Sequence, residues 1–164
     1  MAIYEVEKAG VSQVLRQKAK PVLDINDTVR TLLDDMAETM YAAEGVGLAA
    51  PQVGIPRRMC VVDVGDGLIE LINPVIEKST GHQTSEEGCL SIPGIYGEVD
   101  RAKVVYIRAT DRNGDEFRFK ARDFTACALQ HEIDHLDGIL FTDKMKKEVP
   151  KNQPAEADGS EAEK

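Results

Sequence analysis

The sequence predicts an α+β fold, with helices towards the two ends and antiparallel strands between them. Three observations predict it: two segments of helical period far apart in the chain, a series of short β-branched or alternating runs between them, and an Asn-Gly pair set between two of those runs. The first helical segment runs from about Asp27 to Glu44, where Val29, Leu32, Leu33, Met36, Ala37, Met40 and Tyr41 recur at three- and four-residue steps and make one apolar face. Asn26 is its expected N-cap, Asp27 puts negative charge near the positive helix end, and Gly45 is expected to take the left-handed conformation that stops it. Strands are expected from Met59 to Val64, Leu68 to Ile72, Val75 to Lys78, Val104 to Arg108 and Phe117 to Lys120. Asn113-Gly114 suits a two-residue type I′ turn with φ positive at both positions, so the last two strands are expected to form an antiparallel hairpin. A second helix is expected to start with Asp123 as N-cap and to end near Asp137, with Gly138 just beyond. It would bury Phe124, Cys127, Ala128, His131 and His135 on one side.

At 164 residues the chain reads as one domain, large enough to fold without covalent staples. Its 20 Lys+Arg against 29 Asp+Glu give a net charge of −9, which argues against a general nucleic-acid or anionic-membrane partner. The composition changes near Glu148, where EVPKNQPAEADGSEAEK brings five acids against two lysines and no aromatic residue. Residues 148–164 are therefore expected to be a disordered acidic tail, and residues 1–147 a single domain. Three cysteines cannot close into a complete disulfide set, and the first twenty residues hold no apolar core of signal-peptide type. No apolar run approaches the roughly 18 residues that span a bilayer. A soluble, cytoplasmic protein is expected.

Gln130-His131-Glu132-Ile133-Asp134-His135 carries the chemistry. Two histidines at i and i+4 lie one turn apart on one helix face, where both imidazoles can reach a single ion. Glu132, offset by about 100°, can touch water beside that ion without being a ligand. A third ligand is needed, and the downstream pattern of many metallopeptidases fails: Gly138 falls in place, but Phe141 stands where a third histidine would. Upstream candidates are Cys89, His82, Cys60 and Cys127. Cys60, in RMCVVDV, reads as a small buried thiol, and His82, in STGHQTSEE, as a solvated loop residue. Cys127, one turn before His131, reads as core wall or as the fourth ligand of a closed structural Cys2His2 site. Cys89 follows Gly88, which lets the backbone come close, and its thiolate would be stabilised by a neighbouring cation. The rival readings are therefore a zincin-type peptidase and a non-catalytic structural metal domain.

Three segments, Gly45-Val46-Gly47-Leu48-Ala49-Ala50-Pro51-Gln52-Val53-Gly54, Glu87-Gly88-Cys89-Leu90-Ser91 and Gln130-His131-Glu132-Ile133-Asp134-His135-Leu136-Asp137-Gly138, resemble the signature segments of the peptide deformylases, in that family's order. The likeness covers roughly residues 3 to 147. It implies a monomeric fold of small antiparallel sheets packed around the HEIDH helix, with one divalent metal ion held by Cys89, His131 and His135. Fe(2+) is the ion implied natively, with Zn(2+), Ni(2+) or Co(2+) able to substitute. The implied substrate is the N-formylmethionine end of nascent polypeptides, met transiently near the ribosome and hydrolysed to formate and a free amine during protein biosynthesis.

In that scheme Glu132 is the general base, and the metal, the Gln52 side-chain amide and the Leu90 backbone N–H stabilise the oxyanion. Gly47 is the implied main-chain contact for a substrate lying alongside in strand fashion, and Val46, Phe124, Cys127 and Ala128 match positions that line the methionine pocket. Two features depart from the family pattern. Ser85 stands where many relatives carry an aliphatic residue, and the short acidic tail replaces the C-terminal helix of some relatives, which removes the basis for expecting ribosome docking through that end. Arg101 is expected to pair with Glu87 near the cleft mouth.

Overall fold

The computed structural model describes residues 3–150. Its strands are β1 (Gly47–Ala49), β2 (Met59–Val62), β3 (Ile69–Thr80), β4 (Gln83–Cys89), β5 (Ile92–Arg101), β6 (Val104–Thr110), β7 (Glu116–Arg122) and β8 (Met145–Val149). Its helices are α1 (Asp27–Ala42), α2 (Asp123–Leu136) and the single turn α3 (Phe141–Lys144). A five-stranded sheet runs in the order β1-β2-β3-β6-β7 and a three-stranded sheet in the order β4-β5-β8. All strand pairs are antiparallel, so the α+β class holds.

α1 forms where the apolar spacing predicts it, with Leu33, Met36 and Met40 fully buried against β1 and β2. The Asn26 side chain caps it by accepting the Val29 N–H at 3.1 Å. Its end differs from expectation: the left-handed residue is Glu44 (φ 58°), not Gly45. A Cβ on Gly45 would stand 3.2 Å from Leu90 Cδ1, so this glycine serves close approach rather than handedness. Tyr41, placed on the apolar face by its spacing, is half exposed and donates its hydroxyl to Asp63 at 2.6 Å.

The runs expected at 68–72 and 75–78 are one strand, β3, with a register shift beside Asn73. Asn73 sits at φ 52°, and its side chain holds the kink by accepting the Val22 N–H at 2.8 Å and donating to the Val22 carbonyl at 2.9 Å. The β6–β7 hairpin is present, but its turn is longer than two residues. Gly114 has φ 87° while Asn113 does not enter the left-handed region, and the Asp111 carboxylate accepts the N–H groups of Asn113 and Asp115 at 2.9 and 3.0 Å.

β1, β4, β5 and β8 escape the sequence pattern. β4 and β5 are polar and glycine-bearing, QTSEEGC and IPGIYGEVDR, and are held by backbone pairing rather than by a plain apolar alternation. β8 corrects the expected boundary of the tail, because Glu148 and Val149 stand opposite Gly97 and Tyr96 on β5. The rest of the expected tail, 151–164, lies outside the described residues.

α2 also starts differently. Asp123 lies inside the helix at φ 58° and pairs with Lys103 at 3.0 Å, so the N-cap position falls on Arg122. Gly138 stands just beyond the helix end, as expected, and takes the left-handed conformation at φ 75°. Ala126, Leu129, Ile133 and Leu136 enter the core, whereas Phe124 is 56% exposed, against the expectation that it is buried. The helix touches β1, β2, β6 and β7 of one sheet and β4 and β5 of the other, so its residues stand between the two. Among the described residues no helix is long and apolar enough to cross a membrane.

Candidate active site

The HEIDH segment lies in the last two turns of α2, and its i,i+4 spacing sets the His131 and His135 rings 5.0 Å apart, edge to face. The third group comes from the end of β4, where a register shift between Glu87 and Cys89 re-aims the strand. Cys89 Sγ lies 3.3 Å from His135 Nε2, and the donor atoms of Cys89, His131 and His135 all fall within 4.8 Å of one another. Of the four upstream candidates, Cys89 is the one that joins the histidines. His82 is an exposed residue facing Asp100 at 3.2 Å, and Cys60 is a fully buried strand thiol whose pKa burial pushes well up. Cys127 is outside the cluster, buried on the neighbouring wall, with its pKa raised by burial.

The ring of His131 is held from behind. Its Nδ1 lies 2.9 Å from Glu87 Oε1. Burial works against a charged Glu87, but Arg101 grips both of its oxygens, from Nε at 2.8 Å and an Nη at 2.7 Å, and with His131 holds its pKa down to about 2. An ionised Glu87 can only accept, so His131 donates from Nδ1 and turns its Nε2 towards Cys89 and His135. The second Nη of Arg101 reaches Asp134 at 2.7 Å. Arg101 does pair with Glu87, but not at the cleft mouth: it is 4% exposed, beneath the site.

Electrostatics separate the two histidines. Burial disfavours a charged His131, yet its hydrogen bonds to Cys89 and Glu87 and the charge of Glu132 push its pKa up to about 10. Burial and then the charge of His131 push His135 well down, so it stays a neutral imidazole. The His135 Nδ1 and Glu132 Oε1 atoms are buried without a hydrogen-bond partner. Two imidazole nitrogens and a sulfur converging at this range, one ring already oriented by a carboxylate, fit a divalent metal ion. A cation and a proton compete for the His131 Nε2 lone pair.

A cavity of about 430 Å³ opens onto this cluster, and Glu132, Gln52 and Leu90 line it together with Cys89 and His131. Burial raises the Glu132 pKa to about 7, where a carboxyl can both take and give a proton. Gln52, 2% exposed in the turn Ala50–Val53, is oriented by its own backbone neighbour. Its Oε1 accepts the Ala49 N–H at 2.9 Å, and its Nε2 donates to Ser91 Oγ at 3.2 Å and faces Cys89 Sγ at 3.5 Å. The five pocket residues expected from the sequence, Val46, Gly47, Phe124, Cys127 and Ala128, line the same cavity, and Ser85 does too. Val46 and Phe124 stand at its rim, 40% and 56% exposed.

The polypeptide deformylase family model matches residues 3–151. The chain belongs to that family. A peptide deformylase of Pelotomaculum thermopropionicum is 56% identical over 154 residues, covering 92% of this chain and 99% of the relative. Among solved structures, the crystal structure of peptide deformylase from Thermotoga maritima aligns with a TM-score of 0.87 at 39% identity, covering 89% of this chain and 99% of that one. That of a peptide deformylase from Synechococcus elongatus in complex with actinonin aligns at 0.85 and 43% identity, covering 88% and 79%. Deformylase membership leaves both rival readings without support. The position a zincin would fill with histidine is Phe141, 1% exposed and stacked 6.0 Å from the His131 ring, and the closed Cys2His2 site would need Cys127 in the cluster. The burial of Arg101, its bond to Asp134 and the Gln52–Ser91 bond escaped the sequence reading. A signal for the first does exist, since Arg101 shares the inward face of β5 with Val99 and Gly97 at period two.

Proposed function

We propose that this chain hydrolyses the formyl group from the N-terminal formylmethionine of newly made polypeptides, releasing formate and a free amino terminus. The observation that carries the reading is the gathering of Cys89, His131 and His135 at a cavity lined by Cys89, His131 and the buried carboxylate of Glu132, in a chain of the deformylase family. Cys89, His131 and His135 hold one divalent ion, Fe(2+) natively with Zn(2+), Ni(2+) or Co(2+) as substitutes, and when bound it supplies the Lewis acidity that polarises a carbonyl and acidifies water. Glu132 takes a proton from the water that attacks the formyl carbon and delivers it to the departing amine nitrogen as the C–N bond breaks. The Gln52 Nε2 donors, fixed by the Ala49 contact, and the Leu90 backbone N–H face the developing oxyanion, where one such donor typically contributes 10²- to 10³-fold in rate. Gly47 meets the substrate main chain, and Val46, Phe124, Cys127 and Ala128 enclose the methionine side chain. The enzyme works as a monomer in the cytoplasm, transiently near the ribosome, with a catalytic domain that runs through β8 to Val149.

Anaerobic release of formate from formyl-Met-Ala-Ser by the Fe(2+)-loaded protein, beside the acetyl-capped peptide, tests this. Formate from the first and no cleavage of the second is the expected result. No formate from protein that retains its metal would overturn it.

A further inference from the structure

We propose that Gly47 is a positioning residue for Glu132: the bare Cα of this glycine is the seat on which the carboxylate rests. Glu132 Oε1 is buried with no hydrogen bond within the described protein to fix its aim, although the residue is 4% exposed. Packing supplies what hydrogen bonding does not. A Cβ on Gly47 would stand 2.5 Å from Glu132 Oε2, 2.8 Å from its Cγ and 2.9 Å from its Cδ, so the whole end of the side chain occupies the space an alanine methyl would fill. The requirement is spatial and not conformational, because Gly47 lies in β1 outside the positive-φ region, where any residue could follow the backbone. The backbone of neither partner is free to retreat. Gly47 is buried and paired to Val62 of β2, and Glu132 sits between two histidines on a helix packed against β1. A methyl at this point drives the carboxylate off its rotamer and away from the cluster that it serves.

The kinetic half of the proposal rests on the deformylase reading of Glu132, whereas the steric half does not, so the test has two arms. In the first, melting temperatures are measured for the full-length metal-loaded wild type, Gly47→Ala, Glu132→Ala and the double variant, with metal content determined for each. Gly47→Ala alone is expected to lower the melting temperature by about 2–12 °C, the range for overpacking in a domain of this size. In the Glu132→Ala background the same change is expected to cost nothing or to raise it, since a glycine-to-alanine change without a clash restricts the unfolded chain. An equal loss in both backgrounds overturns the seat. Should Gly47→Ala fail to fold, the double variant is still expected to fold, and its failure overturns the seat as well.

In the second arm, Gly47→Ala is assayed on formyl-Met-Ala-Ser. A kcat lower by about 10²-fold or more, with KM within about threefold of wild type, is expected of a displaced carboxylate. A rise in KM with kcat unchanged would make Gly47 a substrate contact alone and overturn the positioning role. Wild type inactive on this peptide would count against the proposed function, while the melting cycle would still decide the seat.

Discussion

The two arms that meet at the candidate metal site are built on opposite physics. The helical arm, α2, is held by apolar packing: Ala126, Leu129, Ile133 and Leu136 lie in the core formed with β2, β3 and β6, and they fix the face from which His131 and His135 project. The strand arm, β4 with β5, is held at this point by buried charge, with Arg101 bridging Glu87 and Asp134 while Glu87 orients His131. Packed methyl groups lose stability in proportion to the volume removed. A buried ion network is all or none, because deleting one member strands the others in a low dielectric. The helical arm is therefore expected to degrade gradually under substitution and the strand arm to fail abruptly.

The largest effect separates ligand from base across the two arms. Glu132→Ala is expected to keep the metal and lose about 10²- to 10⁴-fold in kcat, whereas Cys89→Ala loses or weakens the metal as well as the activity. Metal content and turnover measured side by side check this, and equal metal loss in both variants would erase the division of labour. Next is Arg101→Met, which leaves Glu87 buried beside Asp134 without its cation. Denaturant unfolding should register a loss of about 3–5 kcal/mol, and adding Glu87→Gln should recover part of it. Its counterpart on the helical arm is Leu129→Ala, which opens a cavity in the apolar core and is expected to cost about 2–5 kcal/mol. The contrast sharpens if the leucine loss shrinks in a Leu129→Met variant, to below about 1.5 kcal/mol, while no conservative change, Arg101→Lys included, spares the strand arm.

The same contrast explains what the sequence revealed. His131, Glu132 and His135 are legible because their arrangement is local, set by 3.6 residues per turn, and the β6–β7 hairpin is legible because its signal is contiguous. Glu87, Arg101 and Asp134 come from three separate elements, and although period two turns Arg101 inward with Val99 and Gly97, no local pattern names the carboxylates it meets there. β4 and β5 went unseen for the same reason: their cohesion lies in backbone pairing, and their side chains serve the site rather than an apolar face. Phe124 misled in the opposite direction. Its position on the helical face points inward, but it stands in the first turn of α2, where the cavity opens and leaves it at the rim.

The smallest expected effect comes from an exposed pair with the same chemistry as Arg101 and Glu87. Arg16 grips both oxygens of Asp143, one of them at 3.0 Å, with more than a third of each side chain exposed. The Arg16 hydrogen bonds lower the Asp143 pKa below its ordinary 3.8 against the opposing effect of burial. A carboxyl whose pKa is lowered on folding stabilises the protein above its unfolded value, and that contribution disappears as pH falls through the lowered one. Asp143→Asn should therefore cost stability at pH 7 and converge with wild type in acid below the folded pKa. Solvent screens the pair, so the loss at pH 7 is expected to stay within about 1 kcal/mol and to shrink further in high salt. Urea melts of the two proteins from pH 7 down through the acid range, with and without added salt, measure it. A loss as large as that of Arg101→Met would mean that the bidentate geometry, and not burial, makes the strand arm brittle.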